Sequence, residues 1–176
     1  VMIASIMTIV EIIGLLIILY VGRESFSLLP TQLPSLIPSF DASIWAGIVM
    51  GSFIAFYAFL GFEDIVNVAE EAINPRKNIP RAIIISLIVT TLFYVLISVV
   101  ATLLFSADEL SASEAPLAML YEKTTGQSPV VITLISLISV VNGALIQVIM
   151  ASRVLYGMSR KQWIPEKIGE INAVTH

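Results

Sequence analysis

The residue types that carry most enzyme chemistry are scarce in this chain of 176 residues. It has no cysteine, which excludes disulfides, thiolate nucleophiles and cysteine metal sites within it. Its one histidine, His176, leaves no histidine cluster for zinc and no Ser-His-Asp triad. Only 12% of the residues are charged, against about 25% in soluble domains, and the net charge of −4 argues against nucleic acid as a partner. We therefore expect no enzyme, no cofactor and no metal site.

The hydrophobic residues, which make up 57% of the chain, are gathered into four long segments. Crossing a bilayer takes about 20 apolar residues, because a helix rises 1.5 Å per residue. The predicted spans cover about 1–21, 42–71, 82–105 and 129–159. The sequence thus predicts an all-α integral membrane protein in the lipid bilayer, with residues 1–176 in a single transmembrane domain.

The lysines and arginines assign an orientation to these spans. Three of the nine directly follow the second span, four lie near or beyond the end of the fourth, and the remaining two are Arg23 and Lys123. Such residues accumulate on the cytoplasmic side. We expect a multi-pass protein of the cell membrane, with loop 74–81 and the C-terminal tail in the cytoplasm and segments 22–41 and 106–128 outside.

The connections between the spans contain helix and turn signals. Segment 22–41 has three prolines and no helical period, which predicts an irregular loop. Asn78 and Pro80 predict an N-cap and a first-turn proline at the start of the third span.

Segment 106–128 is predicted to hold a short helix on the outer face. Ser111 and Glu114 have the spacing of a capping box, and Gly126 is a candidate C-cap. The helix is expected to lie between these two signals.

The second span combines glycines with carboxylates. Gly47, Gly51 and Gly61 lie in it, and each costs a helix about 1 kcal/mol relative to alanine. Glu63 and Asp64 follow directly, and a carboxylate costs about 2.5–3.5 kcal/mol within hydrocarbon. A broken helix explains the combination, because unwound backbone is tolerated where it lines a cavity. Its freed carbonyls and the N-terminus of the second half-helix would suit the two charges of a zwitterion.

The stretch GFEDIVNVAEEAINPRKNIPRAI resembles the sixth-helix signature of the amino acid–polyamine–organocation superfamily of permeases. Residues 1–22 are similar to its fifth helix, 110–126 to its external segment and 151–165 to its eighth helix. The resemblance covers helices five to eight of about twelve. It implies an inverted-repeat transporter fold, with the substrate between broken first and sixth helices.

The resemblance also implies a substrate site. In the family, backbone carbonyls at the break of the sixth helix bind the amino group of the substrate. Those positions fall here on Ala58, Phe59 and Leu60, with Gly61 at the break itself. Tyr57 has the position of an aromatic residue that covers the substrate in some members.

The function implied is a secondary active permease that moves amino acids by alternating access, either coupled to protons or as an exchanger. Sodium is the other candidate coupling ion. Because Val1 already lies within an apolar run, we expect a fragment that lacks the first helix and half of the substrate site. It would need the remaining helices of a parent permease. The alternative is a non-transporting four-helix membrane subunit or assembly partner.

Several candidate residues also have an ordinary structural interpretation. Gly61 can permit close helix packing, and Tyr57 can be a core aromatic. Gln147 lies near the place where the eighth helix faces the substrate in the family, but it can instead hydrogen-bond another helix. Asn142 is expected to form such an interhelical bond. Asp64, which points away from its carboxylate neighbour, is assigned a structural role.

Three charged residues are candidates for proton coupling or gating. Glu11 lies in the middle of the first span, where it either exchanges a proton or forms a buried hydrogen bond. Glu63 either carries a proton beside a wet cavity or caps the second half-helix. Arg153 is expected to pair with Glu70 and Glu71 as a cytoplasmic gate.

Overall fold

A computed structural model describes residues 2–61, 64–67 and 72–169, and the regular structure in these ranges is entirely helical. The elements are α1 (Met2–Val21), a 3-10 helix (Gly22–Leu28), α2 (Leu29–Leu36), α3 (Ala42–Tyr57), α4 (Asp64–Asn67), α5 (Pro75–Leu104), α6 (Ala107–Ala112), α7 (Pro116–Thr125), α8 (Val130–Arg160) and a second 3-10 helix (Glu166–Gly169). Three helical stretches, built on α1, α5 and α8, are long and apolar enough to cross a membrane. The predicted all-α membrane class is confirmed.

The second predicted span is a shorter helix than the other three. Its apolar part forms α3, which has 16 residues and is therefore about 24 Å long. That is less than the hydrocarbon thickness of about 30 Å. The helix stops at Tyr57 and a short helix resumes at Asp64, so the second span is broken as predicted.

The expectation of an irregular loop over 22–41 is wrong for residues 22–36, which are helical. The chain continues from α1 through the 3-10 helix into α2. Pro30 lies in the first turn of α2, where its missing N–H costs no hydrogen bond. Pro34 removes one bond from a helix of only eight residues, and α2 ends two residues later.

Helix α5 begins earlier than predicted. Asn74 is its N-cap residue, with φ of 50°, and Pro75 opens the first turn. Asn78 is therefore inside the helix rather than at its cap, and its side-chain amide donates to the carbonyl oxygen of Ile73 at 2.6 Å. Pro80 lies in the second turn, within the helix.

The capping box of the 106–128 segment is also displaced. Ser106 and Glu109 form it at the start of α6, with the Ser106 N–H donating to Glu109 Oε2 at 2.8 Å. This backbone bond, with the Ser106 hydroxyl, holds the pKa of Glu109 below its usual value. Ser111 instead donates to the Asp108 carbonyl at the end of α6. The predicted short helix is α7, and Gly126 ends it with φ of 67°.

The buried apolar core lies at one end of the bundle. It joins the end of α1, the end of α5, the middle of α7 and the start of α8, through Ile18, Val100, Phe105, Leu120 and Ile132. Elsewhere the spans expose large apolar side chains within the described chain, as helices in a bilayer do.

Lys123 of α7 ties that helix to the end of α5. Its Nζ donates to the Leu104 carbonyl oxygen at 2.6 Å and lies 4.1 Å from the centroid of the Phe105 ring. The bond satisfies one of the carbonyls that a helix leaves unpaired at its C-terminus. Helix α7 therefore closes the bundle where the core lies.

Two glycines allow the spans to approach closely. A Cβ added at Gly14 of α1 would lie 2.7 Å from Ile135 Cγ2 of α8, and one added at Gly22 would lie 2.4 Å from Val100 Cγ1 of α5. Both distances are shorter than carbon atoms tolerate. These positions fix α1 against the two other long helices.

Candidate functional site

The candidate site begins at the end of α3, where the helix tightens and stops. The N–H groups of Ala58, Phe59 and Leu60 each donate to the carbonyl three residues earlier, at 3.0–3.2 Å. Bonds of this kind form a tighter turn than the α-helix. The break therefore covers the three residues that the sequence pointed to.

Gly61 ends this turn with a φ of 121°, a conformation that residues with a side chain rarely adopt. A Cβ added there would have nothing within 4 Å among the described residues. Close helix packing therefore does not explain this glycine in the described structure. Its backbone conformation does.

Tyr94 of α5 supports the break from the side. Its hydroxyl donates to the Ala58 carbonyl oxygen at 3.1 Å, and its ring meets the Phe59 ring edge-on, with centroids 5.2 Å apart. The hydroxyl thus satisfies a carbonyl that the end of the helix would leave unpaired.

A cleft of about 400 Å³ lies between the break and α8. One wall is formed by Gly61, Asp64 and Ile65, and the other by residues 143–150 of α8, including Gln147. Gln147 Nε2 donates to Asp64 Oδ2 at 3.4 Å. The volume is within the range of pockets that hold small molecules. A carboxylate and an amide can bind the ammonium and polar groups of such a ligand.

Tyr57 does not line this cleft. It is 70% exposed and lines a second groove of about 560 Å³ with Phe53 and Phe56 on the surface of α3. The described structure thus brings Gln147 to the break but leaves Tyr57 on another side. Leu60 is also exposed.

Glu11 lies on the face of α1 that packs against α8. Asn142 Nδ2 donates to Glu11 Oε1 at 2.8 Å and to Thr8 Oγ1 at 3.1 Å. Asn142 is only 2% exposed, so this polar contact between two spans is buried. The predicted interhelical bond of Asn142 is confirmed, and proton exchange at Glu11 stays a prediction.

Of the other two gating candidates, Arg153 lies in the described part of the chain and Glu63 does not. Arg153 lies half-buried on α8, one turn beyond the cleft residue Met150. Glu63, Glu70 and Glu71 lie outside the described residues. The gate therefore stays a prediction.

Comparison with known proteins identifies the family. A family model described as amino acid permease matches residues 1–176. The chain belongs to the amino acid permease family. This permease chain is 27% identical over 130 residues to the branched-chain amino acid permease BcaP of Bacillus subtilis, a match that covers 73% of the chain and 28% of BcaP.

Two further relatives are named as transporters of other compounds. Human cationic amino acid transporter 4 is 38% identical over 79 residues, which cover 45% of the permease chain and 12% of that protein. The methylthioribose transporter of Bacillus subtilis is 29% identical over 128 residues, which cover 72% and 27%. The permease chain thus spans about a quarter of the length of its Bacillus relatives. No solved structure matches it significantly.

The family and the apolar helices together define the class of the protein. It is a multi-pass membrane protein of the amino acid permease family.

Three residues make contacts that the sequence patterns do not predict. Asp64, expected to be structural, lines the cleft, Tyr94 supports the break, and Thr8 accepts a hydrogen bond from Asn142. Thr8 could be linked to Glu11 from the sequence, because it lies three residues before Glu11 and so on the same helix face. Tyr94 could be noticed less easily, as the only tyrosine of a long apolar span.

Proposed function

We propose that the parent permease of this chain is a secondary active transporter that moves amino acids across the cell membrane by alternating access. The observation that carries the proposal is the break at Gly61 beside the cleft of Asp64 and Gln147. Irregular backbone within a membrane is stable where it lines a cavity for a ligand. The chain holds one side of the substrate site, and helices of the parent protein supply the other.

The substrate ammonium is proposed to bind the carbonyls at the break together with the Asp64 carboxylate. The Ala58 carbonyl already accepts from Tyr94, so the carbonyls of Phe59 and Leu60 are the better candidates. Gln147 would then contact a polar group of the substrate, in place of its long bond to Asp64.

A neutral or moderately polar amino acid is the proposed substrate class. The relatives are named for substrates of different chemistry, namely branched-chain amino acids, cationic amino acids and the thiosugar methylthioribose. In this chain the cleft is lined mostly by glycine and aliphatic side chains, with a single amide and a single carboxylate. Tyr57 is proposed to reach the substrate from the neighbouring groove once the parent helices are in place.

Transport is proposed to be coupled to protons or to run as exchange, with sodium as the second candidate ion. Glu11 and Glu63 are the proposed proton carriers, and Arg153 is the proposed gate. Loop 74–81 and the C-terminal tail are assigned to the cytoplasm, because the two ends of the bundle differ sharply in lysine and arginine.

The test is uptake of a panel of radiolabelled amino acids by the intact parent protein in liposomes, with and without an inward proton gradient. We expect saturable uptake of at least one amino acid. Asp64→Asn should reduce it about tenfold or more, because a hydrogen bond to a charged group contributes about 1.5–3 kcal/mol.

Asp108→Asn is the matched control, since it makes the same chemical change on the exposed helix α6. Uptake by this variant should equal that of the wild type. Absence of uptake of any amino acid by well-folded protein would overturn the proposal and favour a non-transporting membrane subunit.

A further inference from the structure

The side-chain carbonyl of Asn142 is a buried acceptor without a partner. Asn142 Oδ1 is inaccessible and accepts no hydrogen bond from the described part of the chain, while the amide nitrogen of the same group donates twice. A buried polar atom left unpaired costs about 1–3 kcal/mol. Such an atom between two membrane spans calls for a donor.

Among the described neighbours of Asn142, Glu11 is the group that can supply that donor. The Thr8 hydroxyl already donates to the Ala4 carbonyl at 3.0 Å. Ionised Glu11 has only acceptors, whereas protonated Glu11 has one O–H to donate. A carboxylic acid and a primary amide can pair through two opposed hydrogen bonds, N–H to acid carbonyl and acid O–H to amide carbonyl. The first of these is present, from Asn142 to Glu11 at 2.8 Å.

We propose that Glu11 and Asn142 form a proton-binding pair between α1 and α8, in which protonated Glu11 donates to Asn142 Oδ1 and closes the contact between the helices. Loss of the proton keeps the bond from Asn142 Nδ2 to Glu11 but leaves Asn142 Oδ1 without the O–H donor. The contact between α1 and α8 is then weakened. Asn142 acts as a positioning residue through Glu11, and the role in transport rests on the proposed function.

Two charged groups of the described residues contact the uncharged part of α8: Glu11 through Asn142, and Asp64 through Gln147. Helix α8 carries no charged residue from Val130 to Ser152, and α5 carries none from Ala82 to Leu104. The titratable and charged side chains of the elements packed against α1 lie toward the ends of those elements, apart from Tyr94, whose hydroxyl bonds to the break. They are Arg23, Glu24, Arg76, Lys77, Arg81, Tyr94, Tyr121, Glu122, Lys123, Arg153, Tyr156 and Arg160. Within the described residues, the hydrogen-bond partner of Glu11 is the amide nitrogen of Asn142.

Infrared difference spectroscopy on the intact protein tests the pair directly. A protonated carboxylic acid has a C=O stretch that a carboxylate lacks. We expect a band of this kind that is lost in Glu11→Gln and shifted in Asn142→Leu, where the acid keeps its proton but loses its amide partner. Absence of the band at every pH at which the wild type is folded would overturn the proposal, as would a band unmoved by Asn142→Leu.

Thermal unfolding against pH supplies the second readout. A glutamine at position 11 makes the same two hydrogen bonds as the protonated acid, because its amide both donates and accepts. The wild type is expected to melt like Glu11→Gln at low pH and several degrees below it at high pH. The contact is present while Glu11 holds its proton and is lost as rising pH removes it. Parallel melting curves for the two proteins would overturn the proposal.

Transport is measured separately, so that the two proposals can fail independently. Glu11→Gln should lose proton-driven uptake while retaining exchange of substrate across the membrane. A pH-dependent carboxylic acid band in a protein that transports nothing would support the pair and overturn the proposed function. Unchanged proton-driven uptake in Glu11→Gln would separate the pair from coupling and overturn its role there.

Discussion

Gly61→Ala should reduce transport because it strains the backbone, without any collision with a neighbouring side chain. The φ of Gly61 is 121°, and a residue with a side chain held in such a region costs about 1–3 kcal/mol. Because nothing described lies within 4 Å of the added Cβ, collision with a neighbour contributes no part of that cost. With each 1.36 kcal/mol worth a factor of ten, the equilibrium constant for forming the turn at residues 58–61 falls about 5- to 150-fold.

Substrate exchange in liposomes and thermal melting measure the two consequences of Gly61→Ala. We expect uptake to fall at least about fivefold, with a melting temperature equal to or below that of the wild type. Gly51→Ala is the matched control, since Gly51 lies inside α3 with open space around it, and alanine there favours the helix by up to about 1 kcal/mol. Wild-type uptake by Gly61→Ala would refute the assignment of the break.

Three further predictions test the packing and the orientation. Gly22→Ala should cost about 1–3 kcal/mol in unfolding experiments, because its Cβ meets Val100 Cγ1 at 2.4 Å, and adding Val100→Ala should recover part of that loss; a double variant as unstable as the sum of the two single ones would contradict the contact. Tyr94→Phe should lower stability by about 0.5–1.5 kcal/mol and loosen the end of α3, and equal melting of the two proteins would count against the hydrogen bond at 3.1 Å. A membrane-impermeant maleimide should label Ser111→Cys on intact cells and Lys77→Cys only after permeabilisation, and the reverse pattern would invert the topology.

The break of the second span could be predicted because its signals are local. Gly61 and the two carboxylates that follow it stand in an apolar run, and no other arrangement of these residues is inexpensive in a bilayer. The long spans could be predicted for a similar reason, since the bilayer imposes their length and composition. Such signals need no knowledge of which helices are neighbours.

The choice between two capping boxes could not be made from the pattern. The sequence has the same spacing twice, Ser106 with Glu109 and Ser111 with Glu114. The first is used, because α6 occupies the second serine in its last turn and because Pro116 keeps the residue before it out of the helical region. Which capping box forms therefore depends on where both α6 and α7 can begin, and one motif considered alone does not reveal this.

The residues missed at the site depend on contacts between distant parts of the chain. Asp64 faces the cleft because α4 lies against α8, and the sequence does not show how these two helices dock. Tyr94 reaches the end of α3 from a position 36 residues away. The pairing of Thr8 and Glu11 with one amide of α8 likewise exists only in the packed bundle.

Helix α5 is held in the buried core at one extremity rather than halfway along its length. It has 30 residues and is therefore about 45 Å long, so a tilt of about 5° around the end held in the core carries the opposite end through about 4 Å. A change of angle too small to disturb the core thus becomes a displacement of about one atomic contact distance at the end near Asn74.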